Sequence, residues 1–219
     1  EHYLDIYLPE KGSVLDAGGG TGEFSIRAAR LREQLKIENL DISQSMLDKA
    51  RQKLKELGLL PRVATRLGDI QNLPYPPAHF DYVLCLGDSI SFCADVDTAF
   101  SELVRVTRPD GLIHLSVNSF WGNYHAMYSQ SSENGNTFED LRKYMDTRVL
   151  HINGKSTGCR SFTMQELMDW ADLHDLAVVR KFAAPVFPAP EEWLRNKDVY
   201  SEISELQYRY CENESIMEF

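Results

Sequence analysis

Short apolar runs alternate with amphipathic stretches along the first two-thirds of the chain. The apolar runs predict five buried β-strands, at residues 13–17, 37–42, 62–67, 80–86 and 112–117. Helix-type periodicity between them predicts helices at residues 21–34, 43–57 and 96–107. Strands that alternate with helices in this way are typical of an α/β fold with an open, doubly wound, mainly parallel sheet.

The pattern changes after residue 117. Residues 118–162 are rich in serine, asparagine, glycine and aromatic residues and show one helical stretch, at 138–145. We interpret this segment as a lid inserted into the fold. Thr163 and Glu166 have capping-box spacing and predict a helix over 163–174; a strand at 176–182 and an amphipathic helical tail over 191–219 follow. We expect a single domain, residues 1–219.

Composition narrows the class of protein. Of the 219 residues, 43% are hydrophobic and 26% charged, which is ordinary for a globular chain. The net charge is −10 and the basic residues do not cluster, so nucleic acid is disfavoured as a partner. No apolar run approaches the roughly 20 residues that span a bilayer. The four cysteines lack C-x-x-C spacing, which predicts reduced thiols, no zinc site and a cytoplasmic protein.

A glycine-rich motif follows the first predicted strand. Residues 14–22 read VLDAGGGTG, so that a strand runs into Gly18, Gly20 and Gly22 and a helix follows. Glycines there let the backbone approach a ligand closely, and a helix N-terminus offers free N–H groups. Asp41 ends the next strand, where a carboxylate can accept both ribose hydroxyls of a nucleoside. A dinucleotide fingerprint is disfavoured because Glu23 stands where its third small residue is required.

The G-x-G-x-G run preceded by Asp16 resembles motif I of the class I S-adenosylmethionine (SAM)-dependent methyltransferases. Four further segments resemble that superfamily in order and spacing: DISQSML at 41–47, the adenine-contact loop at 68–74, the start of the fourth strand at 80–83, and LVRVTRPDG at 103–111. Asp110 departs from the last motif, replacing its first glycine. The resemblance covers residues 1–119 well and 163–183 loosely, and is nearest to the ubiquinone-biosynthesis-like small-molecule branch.

The resemblance implies a Rossmann-like fold, SAM as cofactor, S-adenosylhomocysteine (SAH) as product and no metal. It implies that Asp16 orients the amino-acid moiety, Asp41 binds the ribose and Asp69 accepts from the adenine amino group. The whole set of implied cofactor-binding residues is Asp16, Gly18, Gly20, Gly22, Asp41, Ile42, Met46, Asp69, Ile70, Leu86 and Gly87. Met46 is also open to interpretation as a helix core residue.

The superfamily's sheet has seven strands, of which the last is antiparallel. Six strands are predicted here, and 13 residues precede Val14, where relatives place helices that cover the cofactor. We therefore expect the last strand to be missing and the 219 residues to be part of a longer protein.

Methyl transfer from a sulfonium is an in-line displacement that requires a general base only when the nucleophile carries a proton. We select His125 in the insertion and Asp88 after the fourth strand as catalytic candidates. Asp88 is equally open to interpretation as a cap of the next segment. Trp121, Tyr124 and Tyr128 are candidates for substrate binding. Alternatively, the insertion's aromatic residues form its own small core.

The acceptor class and two other functions stay open. Residues 86–89 read LGDS rather than the Asn-Pro-Pro-Tyr of DNA and glutamine N-methyltransferases, which favours a small-molecule acceptor with an O, N or C nucleophile. An aminopropyltransferase that uses decarboxylated SAM is one alternative, although Asp16 and residues 41–47 disfavour it. A non-catalytic SAM-fold subunit that binds a partner enzyme is the other. The oligomeric state is open.

Overall fold

Five parallel strands form the central sheet. They are β1 (Lys11–Ala17), β2 (Gln34–Asp41), β3 (Val63–Leu67), β4 (Phe80–Cys85) and β5 (Thr107–Leu115), in the spatial order β3-β2-β1-β4-β5. The computed structural model describes residues 2–129, 137–152 and 155–181. The five strands predicted in the first 117 residues and their parallel pairing are confirmed. The strand order reverses at β1 and β4, which is where sheets of this kind bind their ligands.

Helices flank the sheet, and two of them begin at side-chain caps. The helices are α1 (His2–Tyr7), α2 (Glu23–Leu31), α3 (Gln44–Glu56) and α4 (Val96–Val106). Ser43 and Asp95 cap α3 and α4, because their side chains accept the backbone N–H groups of Met46 and Thr98. The pattern predicted α2, α3 and α4 but not α1.

The core lies between the sheet and these helices. Val14, Leu35, Ile37 and Leu84 are almost completely buried in one cluster with residues of α2 and α3. Burial of each such side chain contributes about 1.5–3 kcal/mol. The centre of β1 is therefore well packed, and it positions the loop at its carboxyl end.

The insertion has more regular structure than its pattern predicts. It contains α5 (Phe120–Ser129), α6 (Phe138–Thr147) and an antiparallel hairpin of β6 (Val149–Ile152) and β7 (Lys155–Arg160). Only α6 was predicted. The rings of Phe120 and Tyr144 stack with centroids 5.3 Å apart, and the Tyr144 hydroxyl donates to the Phe120 carbonyl at 2.9 Å. Met127 is buried beside them, so these residues form a small core of the insertion itself.

The chain divides into two compact units, one ending at Phe162 and one beginning at Thr163. The second unit opens with α7 (Met164–Leu173), whose capping box between Thr163 and Glu166 is confirmed. The strand predicted at 176–182 is wrong for residues 176–181, which have no regular secondary structure. Val178 and Val179 are exposed there. An apolar run forms a strand only when it pairs with another strand, and these residues pair with none that the structure describes. The predicted tail at 191–219 lies outside the described residues.

Candidate active site

The glycine loop at residues 18–22 connects β1 to α2. Gly18, Gly20 and Gly22 have φ angles of 72°, 54° and 79°, in the left-handed region that glycine tolerates best. The Gly18 N–H donates to the carbonyl of Leu40 at 2.8 Å, which ties the loop to the end of β2. A Cβ on Gly18 would lie 2.5 Å from the Cβ of Ser89, so that a larger residue does not fit.

Asp16 lies beneath this loop, with 1% of its surface exposed. Its Oδ2 accepts from the backbone N–H of Ser25 at 3.0 Å and from the Ser25 hydroxyl at 2.6 Å. Its Oδ1 is buried without a hydrogen-bond partner in the structure. Burial raises the pKa of Asp16 to about 6, because the loss of water outweighs the two hydrogen bonds that favour the charged form.

Asn39 lies beside the glycine loop, which the sequence pattern did not predict. It is the register partner of Asp16 across β1 and β2, and it is completely buried. Neither polar atom of its side-chain amide has a partner. A Cβ on Gly19 would lie 2.7 Å from Asp16 Oδ2 and 2.8 Å from Asn39 Oδ1, so both side chains adjoin the loop. The available signal was an amide at an inward position of β2, after Leu35 and Ile37.

Asp41 ends β2 and holds the loop to the start of α3. Its two oxygens accept from the backbone N–H groups of Gly20 and Ser43, each at 2.8 Å. Ile42 and Met46 are 72% and 40% exposed beside it. The interpretation of Met46 as a core residue is therefore wrong. Two uncovered apolar side chains next to a carboxylate suit a ligand with both an apolar face and hydroxyl groups.

The loop after β3 approaches the glycine loop. Ile70 is buried, and its Cδ1 lies 3.1 Å from the position of a Cβ on Gly18. Asp69 accepts from the backbone N–H of Gln71 at 2.9 Å and from its side-chain amide at 3.1 and 3.2 Å. The structure thus brings Ile70 close to Gly18, and Asp69 precedes it in the same loop.

The segment after β4 closes the other side of the glycine loop. Leu86 is buried, and Gly87 and Asp88 both have positive φ, 69° and 60°. A 3-10 helix over residues 89–92 follows, and the Ser89 hydroxyl donates to the Gly18 carbonyl at 2.9 Å. Ser116 accepts the backbone N–H of Asp88 at 3.1 Å.

Asp88 occupies the N-cap position of this 3-10 helix, but its side chain makes no capping hydrogen bond. The interpretation of Asp88 as a cap of the next segment is therefore confirmed for its backbone, whose carbonyl accepts the N–H of Ser91 at 2.9 Å, but not for its side chain. Aspartate is one of the non-glycine residues that adopt the left-handed region, and Ala78, Asp110, Arg148 and Asp175 adopt it elsewhere in the described residues. The carboxylate thus stands at the carboxyl end of β4 without a capping role.

The structure describes the side chains of only some of the catalytic and substrate-binding candidates that were predicted in the insertion. Trp121 is 44% exposed and contacts the ring of Tyr124, which packs on the insertion's core. That packing agrees with the interpretation of these aromatics as the insertion's own core. The side chains of His125 and Tyr128 lie outside the described residues. Asn118 links the insertion to the segment after β4, because its backbone N–H donates to the Ser91 hydroxyl at 3.1 Å.

The described part of the chain contains no group of three or more histidine, cysteine or acidic side chains that could bind a metal ion. Cys85, Cys93 and Cys159 are free thiols there. The same residues contain no helix that is long and apolar enough to cross a membrane.

Comparison with known proteins matches residues 14–111 to a family described as a methyltransferase domain. A malonyl-[acyl-carrier protein] O-methyltransferase of Methylovorus sp. (strain MP688) is 28% identical over 207 residues, which are 93% of this chain and 61% of that protein. A protein of the same name from Serratia marcescens is 41% identical over 48% of this chain and 37% of its own. The ubiquinone/menaquinone biosynthesis C-methyltransferase UbiE of Psychromonas ingrahamii is 33% identical, over 45% of this chain and 39% of its own. The chain thus spans between about a third and three-fifths of these relatives.

Solved structures share the fold. The PH0226 protein of Pyrococcus horikoshii OT3 has a TM-score of 0.64 at 23% identity, over 78% of this chain and 76% of its own. The YcgJ protein of Bacillus subtilis has a TM-score of 0.61 at 19% identity, over 93% and 82%. The matched region runs from Val14 in β1 into the first part of β5, and it contains the glycine loop and the loops after β2, β3 and β4. Residues 14–111 are therefore similar to a methyltransferase domain, and the chain shares the Rossmann-like α/β fold of these solved structures.

Proposed function

We propose that this protein transfers the methyl group of SAM to an O, N or C nucleophile of a small molecule and releases SAH. The observation that carries the proposal is the glycine loop above two buried polar side chains, Asp16 and Asn39, which have atoms without partners. The names of the relatives support methyl transfer to oxygen and to carbon. The net charge of −10 disfavours highly anionic acceptors.

The residues present fit the parts of SAM. Asp16 Oδ1 lacks a donor, and an ammonium group near it would favour the charged carboxylate. Each carboxylate oxygen of Asp41 accepts one backbone N–H and keeps lone pairs for ribose hydroxyls. The exposed apolar side chains of Ile42 and Met46 offer cover for a purine. We assign Asp69 and the backbone N–H of Ile70 to the adenine edge.

SAM supplies a methyl group already activated on a sulfonium, so the protein's share is alignment and exclusion of water. We assign Leu86 and Gly87 to the side of the site where the methyl group is transferred. Where the nucleophile of the methyl acceptor carries a proton, Asp88 would accept a hydrogen bond from it or take up that proton. The insertion would act as the substrate lid, with Trp121 on its exposed side. His125 stays a second candidate base, and Tyr124 and Tyr128 stay candidates for substrate contact.

Calorimetric titration of SAM and SAH tests the cofactor site. Replacement of Asp41 by alanine removes the proposed ribose contact and the anchor of Gly20, and we expect the Kd of SAH to rise roughly tenfold or more. The matched control is Asp48→Ala, an exposed carboxylate on α3. An Asp41→Ala variant that binds SAM like the unaltered protein would overturn the site assignment.

Two further measurements separate this function from its alternatives. Stronger binding of decarboxylated SAM than of SAM would favour an aminopropyltransferase. A screen of a metabolite library with methyl-labelled SAM identifies the acceptor by transfer of the label. Cofactor binding without transfer to any member of a broad library would favour a non-catalytic subunit.

A further inference from the structure

Gln71 lies between the Asp69 carboxylate and the start of α4. Its side-chain Nε2 donates to Asp69 Oδ1 at 3.2 Å and to Oδ2 at 3.1 Å. Its Oε1 accepts the backbone N–H of Asp95 at 2.7 Å. Asp95 is the N-cap of α4, and its own carboxylate accepts from Thr98. One side-chain amide therefore connects the carboxylate to the end of a packed helix.

The orientation of this amide follows from the chemistry of its partners. The backbone N–H of Asp95 can only donate, so the amide oxygen of Gln71 faces it. An ionised carboxylate can only accept, so the amide NH2 faces Asp69. Rotation about the last torsion of an aspartate side chain is broad and weakly restrained on its own. The backbone N–H of Gln71 holds Asp69 Oδ1 at 2.9 Å, and the Gln71 amide adds the contact that also holds Oδ2 and so fixes the direction of both oxygens.

The backbone of the same loop is held by different residues of α4. Glu102 accepts the backbone N–H of Leu73 at 2.7 Å. Arg105 donates to the carbonyls of Tyr75 at 2.7 Å and Leu73 at 3.0 Å, and it is paired with Glu102. The position of the loop and the orientation of the Asp69 side chain therefore depend on separate contacts, which separate substitutions can test.

We propose that Gln71 is a positioning residue that holds Asp69 for the exocyclic amino group of the cofactor's purine, and thereby sets a preference for adenine over a 6-oxo purine. This inference rests on the proposed function. The amino group of adenine donates to a carboxylate, whereas the oxygen of a 6-oxo purine is an acceptor that a fixed carboxylate disfavours. A carboxylate that can rotate away loses much of this discrimination.

Titration calorimetry with SAH and with S-inosylhomocysteine, its 6-oxo analogue, tests the proposal. For Gln71→Ala we expect the Kd of SAH to rise about tenfold and that of the 6-oxo analogue to change less than about twofold. Gln71→Glu keeps an acceptor for Asp95 but places a second carboxylate against Asp69, and we expect a larger loss for SAH. The matched control is Gln165→Ala, an exposed glutamine whose amide donates to Asp169 at 2.8 Å on α7.

Arg105→Ala shows how the two affinities change when only the position of the loop backbone is disturbed. It releases the loop backbone, and we expect both ligands to lose affinity by similar factors. If Gln71→Ala also weakens both ligands equally, or weakens neither, the positioning role of Gln71 is wrong. If the unaltered protein binds no SAH, the proposed function itself fails, and this result is distinct from unchanged discrimination in Gln71→Ala. Thermal unfolding of each variant verifies that it is folded.

Discussion

Replacement of Asp16 by asparagine should stabilise the ligand-free protein near neutral pH. Asparagine has the same shape and keeps an acceptor oxygen for both hydrogen bonds from Ser25. It removes a negative charge that the fold buries without enough compensation, since one carboxylate oxygen of Asp16 has no partner. The variant therefore resembles the protonated form of Asp16 at every pH.

The size of the stabilisation expected for Asp16→Asn follows from the pKa of Asp16. A pKa raised from 3.8 to about 6 corresponds to about 3 kcal/mol at neutral pH. Because the folded state holds its proton more tightly than the unfolded state, the unaltered protein loses stability as pH rises from about 4 to about 6 and stays lower above that. The Asp16→Asn variant lacks this loss. We expect equal stability near pH 4 and an advantage of about 3 kcal/mol for the variant at pH 7.

Urea unfolding at a series of pH values between 4 and 8 measures this difference. Other carboxylates, such as Asp81 and Glu102, have lowered pKa values and act in the opposite direction, but they are common to both proteins and cancel in the comparison. Asp172→Asn, at an exposed position of α7, controls for the loss of one negative charge. A constant difference between Asp16→Asn and the unaltered protein across this range would refute the reasoning.

The cofactor should reverse this preference. If the ammonium group of SAH lies near Asp16, it favours the charged carboxylate, so SAH affinity of the unaltered protein should fall as pH drops through about 6. The variant should bind SAH weakly with a flatter pH profile. Calorimetry in buffers of different ionisation enthalpy should also detect proton release on binding near pH 6 by the unaltered protein and none by Asp16→Asn.

Three other substitutions have defined outcomes. Gly18→Ala should destabilise the protein more than Gly58→Ala in urea unfolding, because both carry a positive φ but only the first Cβ meets a neighbour, at 2.5 Å. Asn39→Leu should raise ligand-free stability by about 1–3 kcal/mol by removing a partnerless buried amide, and should weaken SAH binding in calorimetry. Tyr144→Phe should cost about 1 kcal/mol through the lost bond to Phe120 and leave SAH affinity unchanged.

Local signals made most of the sheet and the loops predictable. Apolar runs and helical periodicity depend on neighbours within a few residues, and they located β1 to β5 and α2 to α4 in the right order. The hairpin of β6 and β7 was missed because residues 149–160 hold few apolar positions at alternating spacing. The strand expected at 176–182 failed for the converse reason: its residues have a strand-like pattern, but no strand partner among the described residues.

The site residues that the pattern missed are the ones whose role depends on a distant partner. Gln71 reads as an ordinary loop residue until α4 brings the backbone N–H of Asp95 within 2.7 Å of it. In the sequence, Asn39 is a polar residue within an otherwise apolar strand. Its relation to Asp16 follows from the register of β1 and β2, which makes the two residues partners. Neither relation is visible within a few residues of sequence, since each arises from the packing of separate elements.

Two side chains around the glycine loop lower the stability of the ligand-free protein. Asp16 and Asn39 are buried with partnerless atoms. A buried polar atom without a partner costs about 1–3 kcal/mol, and here two such side chains lie at the carboxyl ends of the well-packed strands β1 and β2. A ligand that supplies the missing partners would recover part of this free energy on binding. The stability gained by Asp16→Asn or Asn39→Leu should therefore be matched by a loss of SAH affinity, which distinguishes a binding site from a poorly packed core.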